Sequence, residues 1–204
     1  LEIDQAEHFL TSNNIPTQKV DGAWFEGGNI IVDPRSRSIF MGLETDRDNK
    51  ASLEKLGAAI NNRSGGEVVP YQMIGVPLAN PSLYYHLDLG MSDPLPLKGE
   101  IMLSPHVTDP ATLDLIKKKI GEDRVMMLGE NEPVGTTNLI SPSQNTLVMT
   151  VADPERITDL EKRGYKVVQD PVMKDLTLGS GGVRCMTNDV PDPVSRSSVP
   201  SPSM

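Results

Sequence analysis

The chain has little cysteine, little positive charge and no long apolar run. Its only cysteine in 204 residues is Cys185, which excludes an intrachain disulfide framework and a metal site built from several cysteines. A lone thiol fits a reducing compartment, and we expect a cytoplasmic location. No apolar run approaches the ~20 residues of a membrane-spanning helix, so we expect no membrane partner.

The charge balance is acidic. The chain has 28 Asp and Glu against 19 Lys and Arg, a formal net charge of −9 and a pI near 4.8. Binding to nucleic acid requires clustered basic side chains, and the short basic run 117–119 falls at the end of a predicted helix, where it offsets the helix dipole. We therefore expect no nucleic-acid partner. No His-x-x-x-His pair and no cysteine pair indicates a metal site, and we expect no metal and no other cofactor.

Apolar spacing and end signals predict four helices separated by short strands. Asp at the N-cap followed by Pro, with Gly after the last turn, marks helix boundaries. Helices are expected at residues 1–13, 46–65, 109–121 and 153–164. Strands are expected at residues 17–20, 24–32, 38–43, 67–74, 83–89, 99–103, 124–128, 146–151 and 165–169, with another after the Gly-rich run 179–182.

The two Asp-Pro helix starts, at Asp109 and Asp153, lie 44 residues apart, and similar strand patterns flank both helices. A fixed period of this size is typical of repeat architectures. The predicted fold class is therefore α/β, built from repeated ββαβ units that pack radially, with loops converging on a central channel. Residues 1–190 are expected to form this domain, and the Pro/Ser-rich residues 191–204 a disordered tail.

Three loops carry the residues that could do chemistry. Cys185 follows a Gly-rich run, Glu26 precedes a glycine pair, and His86 and Asp88 are two residues apart, which puts them on one side of the predicted strand. A thiolate is a strong nucleophile, and an imidazole can protonate a leaving amine and then activate water. Two carboxylates beside them favour a planar cation with several N–H donors, such as a guanidinium.

Each of these residues also has an ordinary structural interpretation. A lone cysteine is most often a buried apolar residue. Taken singly, Glu26 is most often a solvated strand-edge residue, Asp88 a turn cap and His86 a hydrogen-bonded structural histidine. The catalytic interpretation therefore depends on whether the fold brings the three loops together.

Three motifs together resemble a known group of enzymes. They are Phe25-Glu26-Gly27-Gly28-Asn29, His86-Leu87-Asp88 and Gly181-Gly182-Val183-Arg184-Cys185-Met186-Thr187. In this order they are similar to the guanidino-group-modifying enzymes of the pentein superfamily, which include dimethylarginine dimethylaminohydrolases, arginine deiminases and amidinotransferases. The resemblance implies a five-bladed α/β propeller with a central site, of which about four blades are present in this chain.

The resemblance also implies a mechanism. Cys185 would attack the guanidinium carbon to give a covalent thiouronium intermediate. His86 would protonate the departing amine and then activate water. Glu26 would orient both His86 and the substrate, and Asp88 would bind guanidinium nitrogens.

The sequence departs from the family pattern in three places. Asn29 stands where the Glu-Gly-Gly-Asp motif has a carboxylate. The arginine expected after the second strand appears as Glu44-Thr45-Asp46-Arg47, which makes Arg47 the candidate for binding the substrate's α-carboxylate. The family's first repeat has no counterpart before Leu1, so we expect either an N-terminally incomplete chain or a ring closed with four blades or by a partner, for example as a homo-oligomer.

The predicted function is hydrolysis of a small-molecule guanidino substrate, arginine or a methylated arginine, to citrulline and ammonia or an amine. Two alternatives stay open. In amidinotransfer, an amine rather than water resolves the intermediate. A non-catalytic guanidinium-binding protein, or an inactive fragment, would keep the pocket without completing the reaction.

Overall fold

The computed structural model describes residues 2–15, 17–43, 50–63, 69–169 and 181–187. This part of the chain forms four helices, α1 (Glu2–Ser12), α2 (Lys50–Arg63), α3 (Pro110–Ile120) and α4 (Pro154–Lys162). It also forms eight strands, β1 (Ile30–Asp33), β2 (Ser38–Leu43), β3 (Gln72–Pro77), β4 (Ile101–Leu103), β5 (Val125–Met127), β6 (Leu139–Ser143), β7 (Thr146–Met149) and β8 (Lys166–Val168). None of these helices combines the length and apolar character needed to cross a bilayer. The expected tail, 191–204, lies outside the described residues.

The same ββαβ connectivity occurs three times. In the first sheet β1 is antiparallel to β2, and β2 is parallel to β3 across helix α2. The third sheet repeats this pattern with β6, β7, α4 and β8. In the second unit β4 and β5 are parallel across α3, and the outer strand is reduced to one antiparallel bridge between Met91 and Leu103. The chain is thus a mixed α/β protein, as predicted, and its sheets are small.

Helices α3 and α4 begin with the same sequence signal but different capping contacts. The Asp109 carboxylate accepts hydrogen bonds from the backbone N–H groups of Ala111 and Thr112, which satisfies donors that have no partner inside the helix. Asp153 makes no such side-chain contact. A proline occupies the first helical turn in both cases, where its missing N–H costs nothing.

Strand β4 connects two hydrophobic clusters. Ile101 and Leu103 belong to a cluster that includes the first sheet and α3, whereas Met102 belongs to a cluster with β6, β7 and α4. Alternate residues of a strand face opposite sides, and all three side chains are fully buried. Because each face of β4 packs against a different unit, this short strand holds the units together.

Two ion pairs also join successive units. Arg124, which follows α3, makes a bidentate contact with the fully buried Asp33 at the end of β1, at 2.8 and 3.0 Å. Arg163, which follows α4, contacts Glu100 just before β4 at 2.6 Å. Burial alone would raise the pKa of Asp33, but the hydrogen bonds and charge of Arg124 outweigh it and hold that pKa below its ordinary value.

Several predicted strands differ from the structure. Residues 17–26 contain no strand, and β1 starts only at Ile30, because Gly27–Asn29 form a 3-10 turn. The strand predicted at 83–89 is wrong. The amides of Leu83 and Tyr84 bond back to the carbonyl of Asn80, and Leu87–Leu89 form another 3-10 turn. The strand expected after the Gly-rich run is likewise a 3-10 turn, at Arg184–Met186.

Candidate active site

Three short 3-10 turns supply the walls of one cavity of about 660 Å³. Glu26 directly precedes the first turn. His86 directly precedes the second turn, and Asp88 lies within it. Cys185 lies in the third turn. Gly27, Gly28, Ile140, Arg184, Met186 and Thr187 complete the lining. The four candidate side chains are therefore gathered at one site, whereas Arg47 lies outside the described residues.

His86 and Glu26 form a pair on one side of the cavity. Nε2 of His86 contacts the Glu26 carboxylate through Oε2. Nδ1 is buried and has no hydrogen-bond partner within the described residues. It lies so close to Gly28 that a Cβ added there would stand 2.6 Å from it. A carboxylate on one imidazole nitrogen fixes the ring and its tautomer.

Asp88 is a buried carboxylate on the same cavity, with 1% of its surface exposed. Its Oδ2 accepts from Nδ2 of Asn138 at 3.0 Å and contacts Nε of Arg184 at 3.4 Å. Its Oδ1 has no hydrogen-bond partner in the described part of the chain. Burial raises the pKa of Asp88 to about 6, although Arg184, His86 and Asn138 each favour the charged form. One oxygen of this carboxylate thus has unmet hydrogen-bonding capacity in the described part of the chain.

Cys185 is exposed and lies in a turn held from two sides. Its Sγ accepts from Nδ2 of Asn138 at 3.3 Å. The backbone N–H of Val183 donates to Oγ1 of Thr150 at 2.7 Å, and that of Arg184 donates to Oδ1 of Asn138 at 3.1 Å. An exposed thiol with a hydrogen-bond donor can act as a nucleophile, in contrast to a buried apolar cysteine.

Asn29, which stands where the family's Glu-Gly-Gly-Asp motif has a carboxylate, has a structural role here. Its side chain is fully buried, and Oδ1 accepts from the backbone N–H of Leu87 at 2.8 Å. A Cβ on Gly42 would lie 2.4 Å from the same oxygen. The amide therefore fastens the turn that carries His86 and Asp88, and it does so without burying a charge.

Three polar residues of the site were not predicted from the sequence. Asn138 contacts both Cys185 and Asp88, Thr150 holds the cysteine turn, and Arg184 bridges Asp88 and Asp93. The sequence carries no signal that singles out Asn138; only the structure shows that the polar run 136–138, directly before β6, is at most 1% exposed. In the described residues no three His, Cys, Asp or Glu side chains are grouped as metal ligands.

A scan against protein-family models and a search of curated proteins each return no match, whereas solved structures do match. The N-terminal domain of ArgZ with bound substrate, an arginine dihydrolase from cyanobacteria, aligns with 88% of this chain and 62% of its own, at 18% identity and a TM-score of 0.70. AgrE in complex with ornithine and NAD+ aligns with 92% of this chain and 26% of its own, at 18% identity and a TM-score of 0.70.

A dimethylarginine dimethylaminohydrolase adduct aligns with 88% of this chain and 65% of its own, at 16% identity and a TM-score of 0.62. The chain spans about 62% of the length of the ArgZ domains that it matches. At these identities the likeness establishes the fold. The resemblance to pentein guanidino-group-modifying enzymes is thereby confirmed at the level of the fold.

Proposed function

We propose that this chain is a hydrolase that breaks a C–N bond in the guanidinium group of arginine or a methylated arginine. The products are citrulline and ammonia or an amine. The observation that carries the proposal is that a thiol, an imidazole–carboxylate pair and a buried carboxylate line one cavity. The fold shared with an arginine dihydrolase and a dimethylarginine dimethylaminohydrolase supports the same substrate class.

Substrate binding follows from the carboxylates. A guanidinium is planar and offers several N–H donors, and Asp88, which lines the cavity, has one oxygen, Oδ1, without a hydrogen-bond partner among the described residues. Glu26 contributes a second carboxylate to the lining of the same cavity. Each hydrogen bond to a charged partner contributes about 1.5–3 kcal/mol, so two of them can select a guanidinium over a neutral analogue. For arginine substrates we assign the α-carboxylate to Arg47.

The first half of the reaction forms a covalent intermediate. The Cys185 thiolate donates an electron pair to the guanidinium carbon, and a C–S bond forms. One C–N bond then breaks, and the departing nitrogen takes a proton from His86 and leaves as ammonia or an amine. Glu26 keeps the His86 ring in orientation. The product of this half is a thiouronium on Cys185.

The second half of the reaction hydrolyses the thiouronium and restores the free enzyme. His86, now without its extra proton, accepts a proton from water, and the resulting hydroxide adds to the thiouronium carbon. The C–S bond breaks, the electron pair returns to sulfur, and the ureido product, citrulline, leaves. A free thiol is required at the start of each cycle, which supports a reducing compartment such as the cytoplasm.

The three ββαβ units fit this proposal as blades of a five-bladed α/β propeller, with α1 belonging to a fourth unit. Loops from different units would then converge on a central site. An experimental structure in which the three sheets are not related by rotation about one axis would contradict this arrangement.

The direct test is product analysis with the purified protein. We expect citrulline from arginine or from a methylated arginine, no citrulline from Cys185→Ser, and retained activity in Met186→Leu, which changes an exposed neighbour in the same turn. Addition of an acceptor amine such as glycine distinguishes amidinotransfer, which would give a new guanidino compound in place of citrulline. Binding without turnover, or undiminished turnover by Cys185→Ser, would contradict the proposal.

A further inference from the structure

Asn138 connects the thiol and the buried carboxylate through a single amide. Its Nδ2 donates to Oδ2 of Asp88 at 3.0 Å and to Sγ of Cys185 at 3.3 Å. Its Oδ1 accepts from the backbone N–H of Arg184 at 3.1 Å. The side chain is 1% exposed and stands just before β6. Both amide N–H groups and the amide oxygen are therefore engaged within the site.

The direction of these hydrogen bonds is determined by the chemistry of the groups. An amide nitrogen is a donor only, and its two hydrogens can serve two acceptors at once. An ionised carboxylate and a thiolate are acceptors only, so both are stabilised by this arrangement. Without a donor between them, two anions on one cavity wall would oppose each other's ionisation.

The neighbouring residues fix the amide in this position. A Cβ at Gly182 would lie 2.2 Å from Oδ1 of Asn138, whereas a Cβ at Gly181 would meet, among the described residues, only Cβ of Cys185, at an ordinary 3.7 Å. The hydroxyl of the adjacent Thr137 donates to the backbone carbonyl of Asp88 at 2.7 Å. The segment before β6 is thus bound to both the cysteine turn and the Asp88 turn.

We propose that Asn138 is a positioning residue that holds the Cys185 thiol and the Asp88 carboxylate with one amide, so that the nucleophile and the cation-binding carboxylate are ready together. The catalytic purpose of this interaction rests on the proposed function. The interaction itself is a property of the free protein and can be measured without a substrate.

The test measures how fast Cys185 is alkylated by iodoacetamide as a function of pH, in the wild type and in two variants. Asn138→Leu keeps the branched shape, removes the donor to Sγ and also removes the acceptor for the Arg184 N–H. Thr150→Val is the matched control, because it removes the acceptor for the neighbouring Val183 N–H but no contact with Sγ. Since Cys185 is the only cysteine, the reaction reports on one site.

We expect Asn138→Leu to shift the alkylation profile to higher pH by about one unit, which lowers the rate at pH 7 roughly tenfold. Thr150→Val should leave the position of the profile unchanged. An unshifted profile in Asn138→Leu, or an equal shift in Thr150→Val, would overturn the inference, because the effect would then be absent or due to the turn alone.

A second pair of variants decides the question if Asn138→Leu does not fold. Gly182→Ala displaces the Asn138 amide without changing its chemistry and should shift the profile in the same direction, whereas Gly181→Ala should not. No shift in Gly182→Ala would overturn the inference. A protein that shows these shifts but forms no citrulline would reject the proposed function and leave the role of Asn138 intact, so the two failures are distinguishable.

Discussion

The guanidinium of Arg184 contacts Asp88, the carboxylate that we assign to the guanidinium of the substrate. Nε of Arg184 lies 3.4 Å from Oδ2 of Asp88, and the same side chain also pairs with Asp93. The chain's own guanidinium therefore occupies one edge of Asp88. Oδ1, the other oxygen, has no hydrogen-bond partner in the described residues, which leaves a second edge for a ligand of the same chemical kind.

The buried charge of Asp88 should make the protein less stable as the pH rises. Burial raises its pKa from 3.8 to about 6, so between these values the folded state binds the proton more tightly than the unfolded state does. Stability from this group is present below about pH 4 and is lost as the pH rises through 6, by about 3 kcal/mol at most. We therefore expect Asp88→Asn to have a higher free energy of unfolding than the wild type at pH 7.5, with little difference at pH 4.

Asp33 provides the control for this measurement, because its pKa is held below the ordinary value by Arg124 against the effect of burial. Its contribution to stability is present above about pH 4 and is lost below that. Asp33→Asn should accordingly be less stable than the wild type at pH 7.5. Urea unfolding of both variants at the two pH values is the measurement. A loss of stability in Asp88→Asn at pH 7.5 would contradict the prediction.

Gly28 should be required for activity because of its distance to His86. An alanine Cβ at this position would stand 2.6 Å from Nδ1 and 2.9 Å from Cγ of the imidazole, so the ring must move out of its contact with Glu26. We expect Gly28→Ala to lower kcat by about 10²-fold or more, the scale of lost acid–base catalysis, with little change in KM.

Gly27 is the matched control for Gly28. A Cβ at Gly27 meets no atom of the described residues within 4 Å, although both glycines line the same cavity. Steady-state kinetics of Gly27→Ala should therefore resemble those of the wild type. Equal losses in the two variants would show that the turn, rather than the position of His86, is sensitive to substitution.

The two ion pairs between units should contribute unequally to stability. Arg124→Leu leaves the fully buried Asp33 carboxylate without its cation, which is expected to cost about 3–5 kcal/mol. Arg163 is more exposed, at 33% of its side chain, and Arg163→Leu should cost only about 1 kcal/mol. Urea unfolding at pH 7.5 compares the two. Similar losses would mean that burial does not determine the strength of these pairs.

The repeat was predictable from the sequence because its signals are local. Asp109–Pro110 and Asp153–Pro154 define helix starts in four or five residues, and the strands beside them are short apolar runs. The strand predicted at 83–89 failed for the opposite reason. Tyr84, Leu87 and Leu89 are buried although they lie in turns. Hydrogen bonds back to Asn80 replace strand pairing there, and the apolar pattern alone does not distinguish a buried turn from a strand.

The four candidate residues of the cavity were nominated by residue type and by motif, and their catalytic roles stay predictions. Asn138 could not be nominated in this way. It is 47 residues from Cys185 and 50 from Asp88, and an asparagine before a strand has many ordinary uses. Only the packing of three units brings its amide between a thiol and a carboxylate.

The central claim is that Cys185 becomes covalently bonded to the guanidinium carbon. It is tested most directly by mixing the protein with arginine or methylarginine labelled at that carbon, quenching with acid during turnover, and locating the label by mass spectrometry of the digested protein. The account predicts label on the peptide that carries Cys185, with the mass of the substrate less ammonia or the amine, and no label in Cys185→Ser. Citrulline accumulating without label on Cys185 would contradict it.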